Sequence, residues 1–221
     1  MQVKPIDKAT AEIIVKNKHY SKRLGILWEA FGLYHEDKII GVCCYGQPSA
    51  PIQKHAFNDR NFRLYELTRL VIDNDAPKNA ASFLIGNSLK LLKEQPSAVI
   101  SYADTSWNHC GIVYQATNWL YTGGTKSHDS LYVVNGEKLH PMTLRDKYGI
   151  TNPVEWAKEN SIERVKPDVK HRYFYLNGTQ KQRKAMFKKL RYPVIKEYPK
   201  IDKVFYESPD DCQSLLSGMK S

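Results

Sequence analysis

The stretch FRLYELTRLVIDNDAPKNAASFLIGNSLKLLKEQPSAVISY, residues 62–102, carries the pattern that decides the fold class. Apolar and β-branched residues dominate 62–72, which predicts a strand, and 98–102 predicts a second, shorter strand. Between them, an acidic turn and a run of small residues lead into a predicted helix over 83–93. A strand, a helix and a strand in succession favour an α/β protein with one central sheet.

The segments on either side extend this alternation of helices and strands. We predict a helix over 6–18, capped by Asp7 or Thr10, and a hairpin formed by 28–34 and 38–45. Beyond residue 102 the pattern predicts a helix over 108–119, a strand over 132–134, helices over 142–148 and 153–159, a strand over 171–176 and a helix over 181–190. We therefore expect a core over 1–137, a helical and strand-containing extension over 138–205 packed on it as one domain, and a polar tail over 206–221.

The net charge of the chain is concentrated in the C-terminal third. Residues 138–203 contain 17 Lys and Arg against 7 Asp and Glu, so this section alone accounts for the +10 of the whole chain. Such a section favours binding to a polyanion, with aromatic residues available to stack on bases. The alternative is a solvated basic face whose aromatics pack inside the protein. The candidate nucleic-acid contacts are Lys170, Arg172, Lys181, Arg183, Lys184, Lys188, Lys189 and Arg191.

Composition excludes several classes of protein. No apolar run is long enough to span a membrane, and the first residues lack the apolar segment of a signal peptide. The four cysteines show neither metal-ligand spacing nor a dense disulfide pattern, and the adjacent Cys43 and Cys44 lie in an apolar run typical of buried thiols. We expect a reduced, cytoplasmic protein with no membrane partner.

Polar residues cluster where predicted strands end. Asp104 follows the strand over 98–102, at the position where open α/β sheets place their sites, although it could equally cap the next helix. Tyr114 lies on that helix, where a phenol could protonate a leaving group or simply pack in the core. We expect Asp104 and Tyr114 to face one cavity, with Arg69 approaching from the neighbouring strand and paired with Glu66 or an anion.

Two further sets of residues are candidates for binding. Asn79, Ala80, Ala81 and Ser82 begin a helix after a strand, where backbone N–H groups and the helix dipole favour a phosphate, or where they form an ordinary cap. His19 and Tyr20 share a loop. Together with Asp104 they form a nitrogen and oxygen set compatible with iron or zinc.

Five motifs in this order and spacing resemble the Mom family of phage DNA-modification proteins: His19–Ser21, Glu66–Arg69, Ala76–Ser82, Ser101–Asp104 and Gly111–Asn118. The resemblance implies a fold like that of GNAT acetyltransferases, with a central mixed sheet flanked by helices. It also implies conversion of adenine in double-stranded phage DNA to N6-carbamoylmethyladenine, which protects the DNA from host restriction enzymes.

The resemblance also implies roles for individual residues. His19, Tyr20, Arg69, Asp104 and Tyr114 match positions tied to the activity of the family, and Asn79–Ser82 match the place where GNAT proteins hold the pyrophosphate of coenzyme A. The chain departs there from the glycine-rich GNAT signature. Acyl-CoA, such as acetyl-CoA, and a metal ion such as iron are therefore both open as cofactors, and the protein could be a monomer or a homodimer.

Two other functions fit the same sequence. One is a GNAT-like acyl- or aminoacyltransferase that acts on tRNA or a small molecule, because a basic surface suits tRNA as well as DNA. The other is a nucleic-acid-binding protein without chemistry, which explains the charge but leaves Arg69, Asp104 and Tyr114 without a role.

Overall fold

The computed structural model describes residues 1–19, 21–107, 109–125, 130–166 and 168–200. Its strands are β1 (Gln2–Pro5), β2 (Leu27–His35), β3 (Lys38–Gly46), β4 (Arg63–Ile72), β5 (Ser97–Asp104), β6 (Leu120–Gly124), β7 (Leu131–Val134), β8 (Glu137–Leu139), β9 (Arg164–Val165) and β10 (Lys170–Asn177). Its helices are α1 (Lys8–Lys18), α2 (Ala50–His55), α3 (Ala80–Leu91), α4 (Ile112–Ala116), α5 (Pro141–Tyr148), α6 (Pro153–Glu159) and α7 (Gln180–Lys189), and a 3₁₀ turn covers Thr105–Trp107.

Seven strands form the main sheet in the order β1-β2-β3-β4-β5-β10-β6. Strands β4 and β5 run parallel, while the other neighbours described here pair antiparallel. The predicted α/β class, with a central mixed sheet flanked by helices, is confirmed. Strand β10, from the predicted extension, lies inside this sheet between β5 and β6.

Helices cover both faces of the sheet. On one face, which we call the α3 face, α3 and α4 pack against large residues such as Tyr65 and Tyr173. On the other, the α7 face, α2 and α7 cover the β4–β5–β10 half, where Leu64 and Phe174 are buried. Helix α1 covers the β2–β3–β4 half of that same face. Its first turn is capped by Asp7, whose side chain accepts a hydrogen bond from the Thr10 N–H, as predicted.

A bulge in β4 changes which side chains share a face. Tyr45 of β3 pairs with Leu67 and Cys44 pairs with Arg69, so Thr68 is an extra residue on β4. The Thr68 hydroxyl donates to the Cys44 carbonyl at 3.1 Å. Because one residue is added to the alternation, Glu66 and Arg69 both project from the α7 face.

The predicted helix over 108–119 is much shorter in the structure. Helix α4 covers only Ile112–Ala116, because Gly111 before it has φ +81°. A Cβ at Gly111 would lie 2.5 Å from the Tyr173 ring, so the chain turns here where only glycine fits. The residues after α4, predicted as the exit of the helix, form β6.

Other predicted elements lie close to the observed ones. The hairpin, β4, β5, β7, α5, α6, β10 and α7 match within a few residues, and α3 begins at Ala80, three residues before the predicted start. The short elements β1, α2, β8 and β9 were missed. Cys43 and Cys44 are buried free thiols, as predicted.

The first part of the extension forms a small layer beside the sheet. Strands β8, β7 and β9 pair in that order, and α5 and α6 pack on them around Tyr132, Leu144 and Ala157. In the part of the chain that the structure describes, no helix is both long enough and apolar enough to cross a membrane.

Candidate active site

A cluster of polar side chains projects from the α7 face where β4, β5 and β10 adjoin. The pairing register sets Lys170 opposite Asp104 and Arg172 opposite Tyr102. We call the following set the polar cluster: Glu66, Arg69, Tyr102, Asp104, Lys170 and Arg172. The structure therefore brings two predicted catalytic residues, Arg69 and Asp104, to one side of the sheet.

Asp104 is held as a carboxylate by its neighbours. Its Oδ2 lies 2.9 Å from Lys170 Nζ, and its Oδ1 accepts hydrogen bonds from the backbone N–H and hydroxyl of Ser106. Burial alone would raise the pKa of Asp104, but these hydrogen bonds and the charge of Lys170 outweigh it and hold the pKa below its usual value. Asp104 is thus suited to orient Lys170, and less suited to take a proton near neutral pH.

Glu66 is the carboxyl group whose proton affinity suits acid–base chemistry. Burial raises the pKa of Glu66 to about 7, and the charges of Arg69 and Lys170 and the Ser49 N–H offset only part of that effect. Sequence reasoning considered Glu66 only as a partner for Arg69. The signal that could have identified it is an acidic residue in a strand that is otherwise largely apolar.

Arg69 connects β4 to the loop that follows α1. Its Nε donates to the Arg23 carbonyl and one terminal nitrogen donates to the Thr68 carbonyl, both at 2.6 Å. The Arg23 guanidinium in turn lies 3.0 Å from Asp146 of α5. Beside Arg69 is a cleft of about 540 Å³, the α1 cleft, whose walls include Lys16, Lys22, Arg23 and Met142.

His19 ends α1 as a neutral imidazole. Its Nδ1 accepts the backbone N–H of Ser21 at 3.1 Å, which places the ring proton on Nε2. Burial and the charges of Arg69 and His109 lower the pKa of His19 to about 4. Tyr20, predicted beside it, lies outside the described residues.

The described residues do not fit a metal ion. The Nδ1 lone pair of His19 is used by Ser21, and both carboxylate oxygens of Asp104 are engaged. Within the described ranges no group of three or more His, Cys, Asp or Glu residues is placed to hold a metal. Because Tyr20 is not among them, the predicted set of His19, Tyr20 and Asp104 stays a prediction.

Tyr114 does not share a face with Asp104. It is buried in the α3 face among Trp119 and Tyr173, whereas Asp104 projects from the α7 face. The expected common cavity is therefore not found. The Ser101 hydroxyl lies 2.8 Å from both the Tyr114 hydroxyl and the Leu67 carbonyl oxygen. Because the carbonyl can only accept, Ser101 donates to Leu67 and Tyr114 donates to Ser101.

This hydrogen-bonded chain bridges a gap between the two parallel strands. Pairing of β4 with β5 ends at Glu66 and Ile100, although both strands continue beyond that point. The Ser101 hydroxyl satisfies the first unpaired carbonyl, that of Leu67. Tyr114 therefore reaches the opening between the strands from the α3 face.

The start of α3 fits a phosphate group only in part. Asn79 adopts φ +65° and gives no side-chain cap, while the Ala80 N–H donates to the Pro77 carbonyl and the Ser82 hydroxyl donates to the Asn79 carbonyl. Ala80 is also buried. Of the four predicted residues, the N–H groups of Ala81 and Ser82 are those that an anion would use.

The predicted nucleic-acid contacts fall into two groups. Lys170 pairs with Asp104, and Arg172 donates to Thr122 while its guanidinium stacks 3.6 Å from the Tyr192 ring centre, so both have structural partners. In the second group, on and after α7, Lys189 donates to the Asp59 carbonyl. The remaining residues of that group are exposed: Lys181, Arg183, Lys184, Lys188 and Arg191.

Comparison with known proteins adds relatives in sequence and in structure. The chain is 30% identical over 151 residues to "Methylcarbamoylase mom" of Escherichia phage Mu, a match that covers 65% of this chain. It spans 61% of the length of that curated relative. Among solved structures, Arabidopsis thaliana NAA60 in complex with acetyl-CoA matches at 11% identity and a TM-score of 0.47, over 79% of this chain and 97% of its own. Aminoglycoside 6'-acetyltransferase type Ii matches at 9% identity and a TM-score of 0.47, over 81% and 99%.

A sequence model of a protein family covers most of the chain. The match runs over residues 1–200, which includes all five motifs and the polar cluster. The chain belongs to the Mom protein family.

Proposed function

We propose that this protein is a transferase that modifies adenine in phage DNA to N6-carbamoylmethyladenine and so protects that DNA from host restriction enzymes. The family match over residues 1–200 carries the proposal. The name of the matching Mu phage protein, methylcarbamoylase, supports transfer of a carbamoyl-containing group. The polar cluster supplies acid–base groups of the kind that the reaction requires.

The reaction requires that the exocyclic N6 amine of adenine be exposed and that it lose a proton. Adenine N6 is a weak nucleophile because its lone pair is delocalised into the ring, and inside a duplex it is out of reach. The enzyme must therefore flip the base out and hold it against an activated carbon, so that positioning supplies much of the rate.

Glu66 is our candidate for the group that takes the proton. As the bond from N6 to the donor carbon forms, the leaving group departs with its electron pair and N6 becomes cationic until it loses one proton. Near pH 7 a useful fraction of Glu66 is ionised and can accept that proton, because burial brings its pKa to about 7. Lys170, oriented by Asp104, and Arg69 provide positive charge beside the site.

An acyl-coenzyme A is our candidate ligand for the start of α3. Attack of N6 on its thioester carbon would release the coenzyme A thiol and leave an N6-acyl adenine, so the carbamoylmethyl group, which is joined through its methylene carbon, requires a donor that is activated at that carbon. The N–H groups of Ala81 and Ser82 would hold the phosphate of the coenzyme at the start of α3. Pairing of β4 with β5 ends at Glu66, so the two strands part beside the polar cluster. Measuring acetyl-CoA binding by calorimetry, with Ser82→Pro to remove one N–H, tests this assignment.

One experiment tests the function directly. Plasmid DNA from cells that express the protein is digested to nucleosides and analysed by mass spectrometry for a modified deoxyadenosine, with Glu66→Gln as the inactive control. Transfer RNA from the same cells is analysed in parallel. A modified adenosine in tRNA with unmodified plasmid DNA would replace the DNA proposal with the RNA one.

A further inference from the structure

A second positively charged cleft lies at the start of β4, apart from the polar cluster. It has a volume of about 320 Å³, and its walls include Trp28, Arg60, Asn61, Arg63 and Glu94. No residue singled out from the sequence or placed in the polar cluster lines it. We call it the Arg60–Arg63 cleft.

The two arginines of this cleft lie close enough to repel each other. Burial, and then the charge of Arg63, lower the pKa of Arg60. The Arg63 guanidinium stacks 3.8 Å from the Trp28 ring centre, which fixes its plane. Two like charges held side by side in a partly buried cleft are destabilising unless an anion compensates them.

The protein itself compensates this charge only weakly. Arg63 Nε is buried and has no hydrogen-bond partner among the described residues, and Glu94 Oε1 at 3.7 Å is too distant to accept a hydrogen bond. The Glu94 side chain is 59% exposed, so water screens this pair. An unpaired donor on a fixed, planar guanidinium, whose side chain is 39% exposed, suits an anion with oxygen acceptors, and phosphate has the matching geometry.

The cleft adjoins the basic end of α7. Lys189 Nζ donates to the Asp59 carbonyl at 2.9 Å and lies 3.4 Å from Asn61 Oδ1. The Asn58 N–H donates to the Lys189 carbonyl, which ties the loop before β4 to the end of α7. Asn61, which lines the cleft, therefore lies beside Lys189 at the end of α7.

We propose that the Arg60–Arg63 cleft binds a phosphate of the DNA backbone, as the end of a phosphate-binding track that begins on α7. The proposal rests on DNA being the substrate. It adds a contact that fixes where the duplex lies without reading its sequence, because phosphate contacts set register and orientation.

Salt-dependent binding tests the proposal. The affinity of the full-length protein for a fluorescein-labelled 20-base-pair duplex is measured by anisotropy over a series of KCl concentrations. We expect Arg60→Gln and Arg63→Gln each to weaken binding several-fold and to reduce the slope of log affinity against log salt by about 1. Lys38→Gln is the matched control, because Lys38 is an exposed cation at the turn between β2 and β3, next to the C-terminal end of β4 and far from the cleft at its start. It should leave the slope unchanged.

The other possible outcomes separate the inference about the cleft from the proposed function. Melting temperatures are measured for all variants, and Arg60→Gln carries the test if Arg63→Gln unfolds through loss of its stacking on Trp28. A wild-type protein that binds the duplex while Arg60→Gln keeps its slope overturns this inference and leaves the proposed function standing. A wild-type protein with no affinity for the duplex overturns both. If millimolar inorganic phosphate quenches tryptophan fluorescence in wild type but not in Arg60→Gln, while the DNA slopes are equal, the cleft takes a small anion and the DNA contact is wrong.

Discussion

At the scale of single residues, the polar cluster gives its two carboxyl groups different affinities for a proton. Asp104 accepts hydrogen bonds from Ser106 and Lys170, whereas Glu66 is buried with weaker compensation. Two environments that drive two carboxyl pKa values apart are typical of sites in which one group stabilises charge and the other exchanges protons. The ionised form of Glu66 therefore lowers the stability of the folded protein.

Because the charge on Glu66 destabilises the folded protein, removing that charge should raise its stability. The folded-state pKa of Glu66, about 7, exceeds that of an unfolded glutamate, so folding favours the protonated form. The wild-type protein consequently loses stability as pH rises from about 4.5 to 7 and carries the full cost above that range. We expect Glu66→Gln to unfold at a temperature near that of wild type at pH 4.5 but several degrees higher at pH 8, by about 2–3 kcal/mol in stability.

Thermal melts of both proteins at four pH values between 4.5 and 8 measure this difference. Glu155→Gln on the exposed surface of α6 is the control for replacing a surface glutamate by glutamine. Equal melting temperatures of wild type and Glu66→Gln at every pH would contradict the assignment of a raised pKa.

Asp104 gives a different prediction, because its charge orients a neighbour. In Asp104→Asn the shape is kept, but Lys170 loses its charged partner at 2.9 Å. We expect loss of at least about tenfold in plasmid modification, since misplaced charge beside the reacting groups is costly. Duplex affinity should change little, and the melting temperature should fall modestly, because asparagine cannot replace the charge that Ser106 and Lys170 stabilise. Full modification of plasmid adenine by Asp104→Asn would show that Asp104 has no part in the reaction.

At the scale of elements, one glycine determines the start of α4. Gly111 combines a left-handed backbone with the Tyr173 ring at the position of its absent Cβ. We expect Gly111→Ala to destabilise the protein by about 1–3 kcal/mol, through backbone strain and displacement of Tyr173. Urea denaturation measures the change. Gly86→Ala in the middle of α3 is the matched control, because open space surrounds its Cβ position and alanine favours the helix by about 0.5–1 kcal/mol.

The lysines on α7 give a prediction about affinity for DNA. Lys181, Lys184 and Lys188 are exposed and lie three and four residues apart, so they share one side of the helix. We expect the triple change of these lysines to glutamine to weaken duplex binding evenly across sequences and to lower the salt slope by up to about 3. Anisotropy with several unrelated duplexes measures both effects. A changed sequence preference with an unchanged slope would contradict phosphate contact.

Local sequence patterns predicted the elements that are stabilised mainly by interactions between neighbours in the chain. The hairpin, β4, β5 and α7 follow from alternation, turn residues and helix periodicity, and Asp7 caps α1 as expected. The prediction for 108–119 was wrong because tertiary packing of Tyr173 on Gly111 overrides helix propensity there. The missed elements β1, α2, β8 and β9 contain between two and six residues, too few to show a period.

At the scale of the whole molecule, sequence could place residues on strands but could not say which side they face after a bulge. The extra residue at Thr68 brings Glu66 and Arg69 together, and the pairing of β10 with β5 adds Lys170. Both depend on long-range pairing that no local pattern specifies. Tyr114 and Asp104, by contrast, are near in sequence, yet the sheet lies between them, because α4 packs on the α3 face while Asp104 projects from the α7 face.

The position of β10 in the sheet also bears on how the chain folds during its synthesis. Strand β5, which is largely buried, has β10 as its neighbour on one side, and β10 ends at Asn177. Until the ribosome has released that residue, the edge of β5 exposes unpaired backbone groups beside apolar side chains, and such an edge invites pairing with other chains. A nascent chain of 137 residues therefore holds a sheet without its last-synthesised strand, so premature termination or proteolysis before β10 should yield aggregates instead of a smaller folded protein.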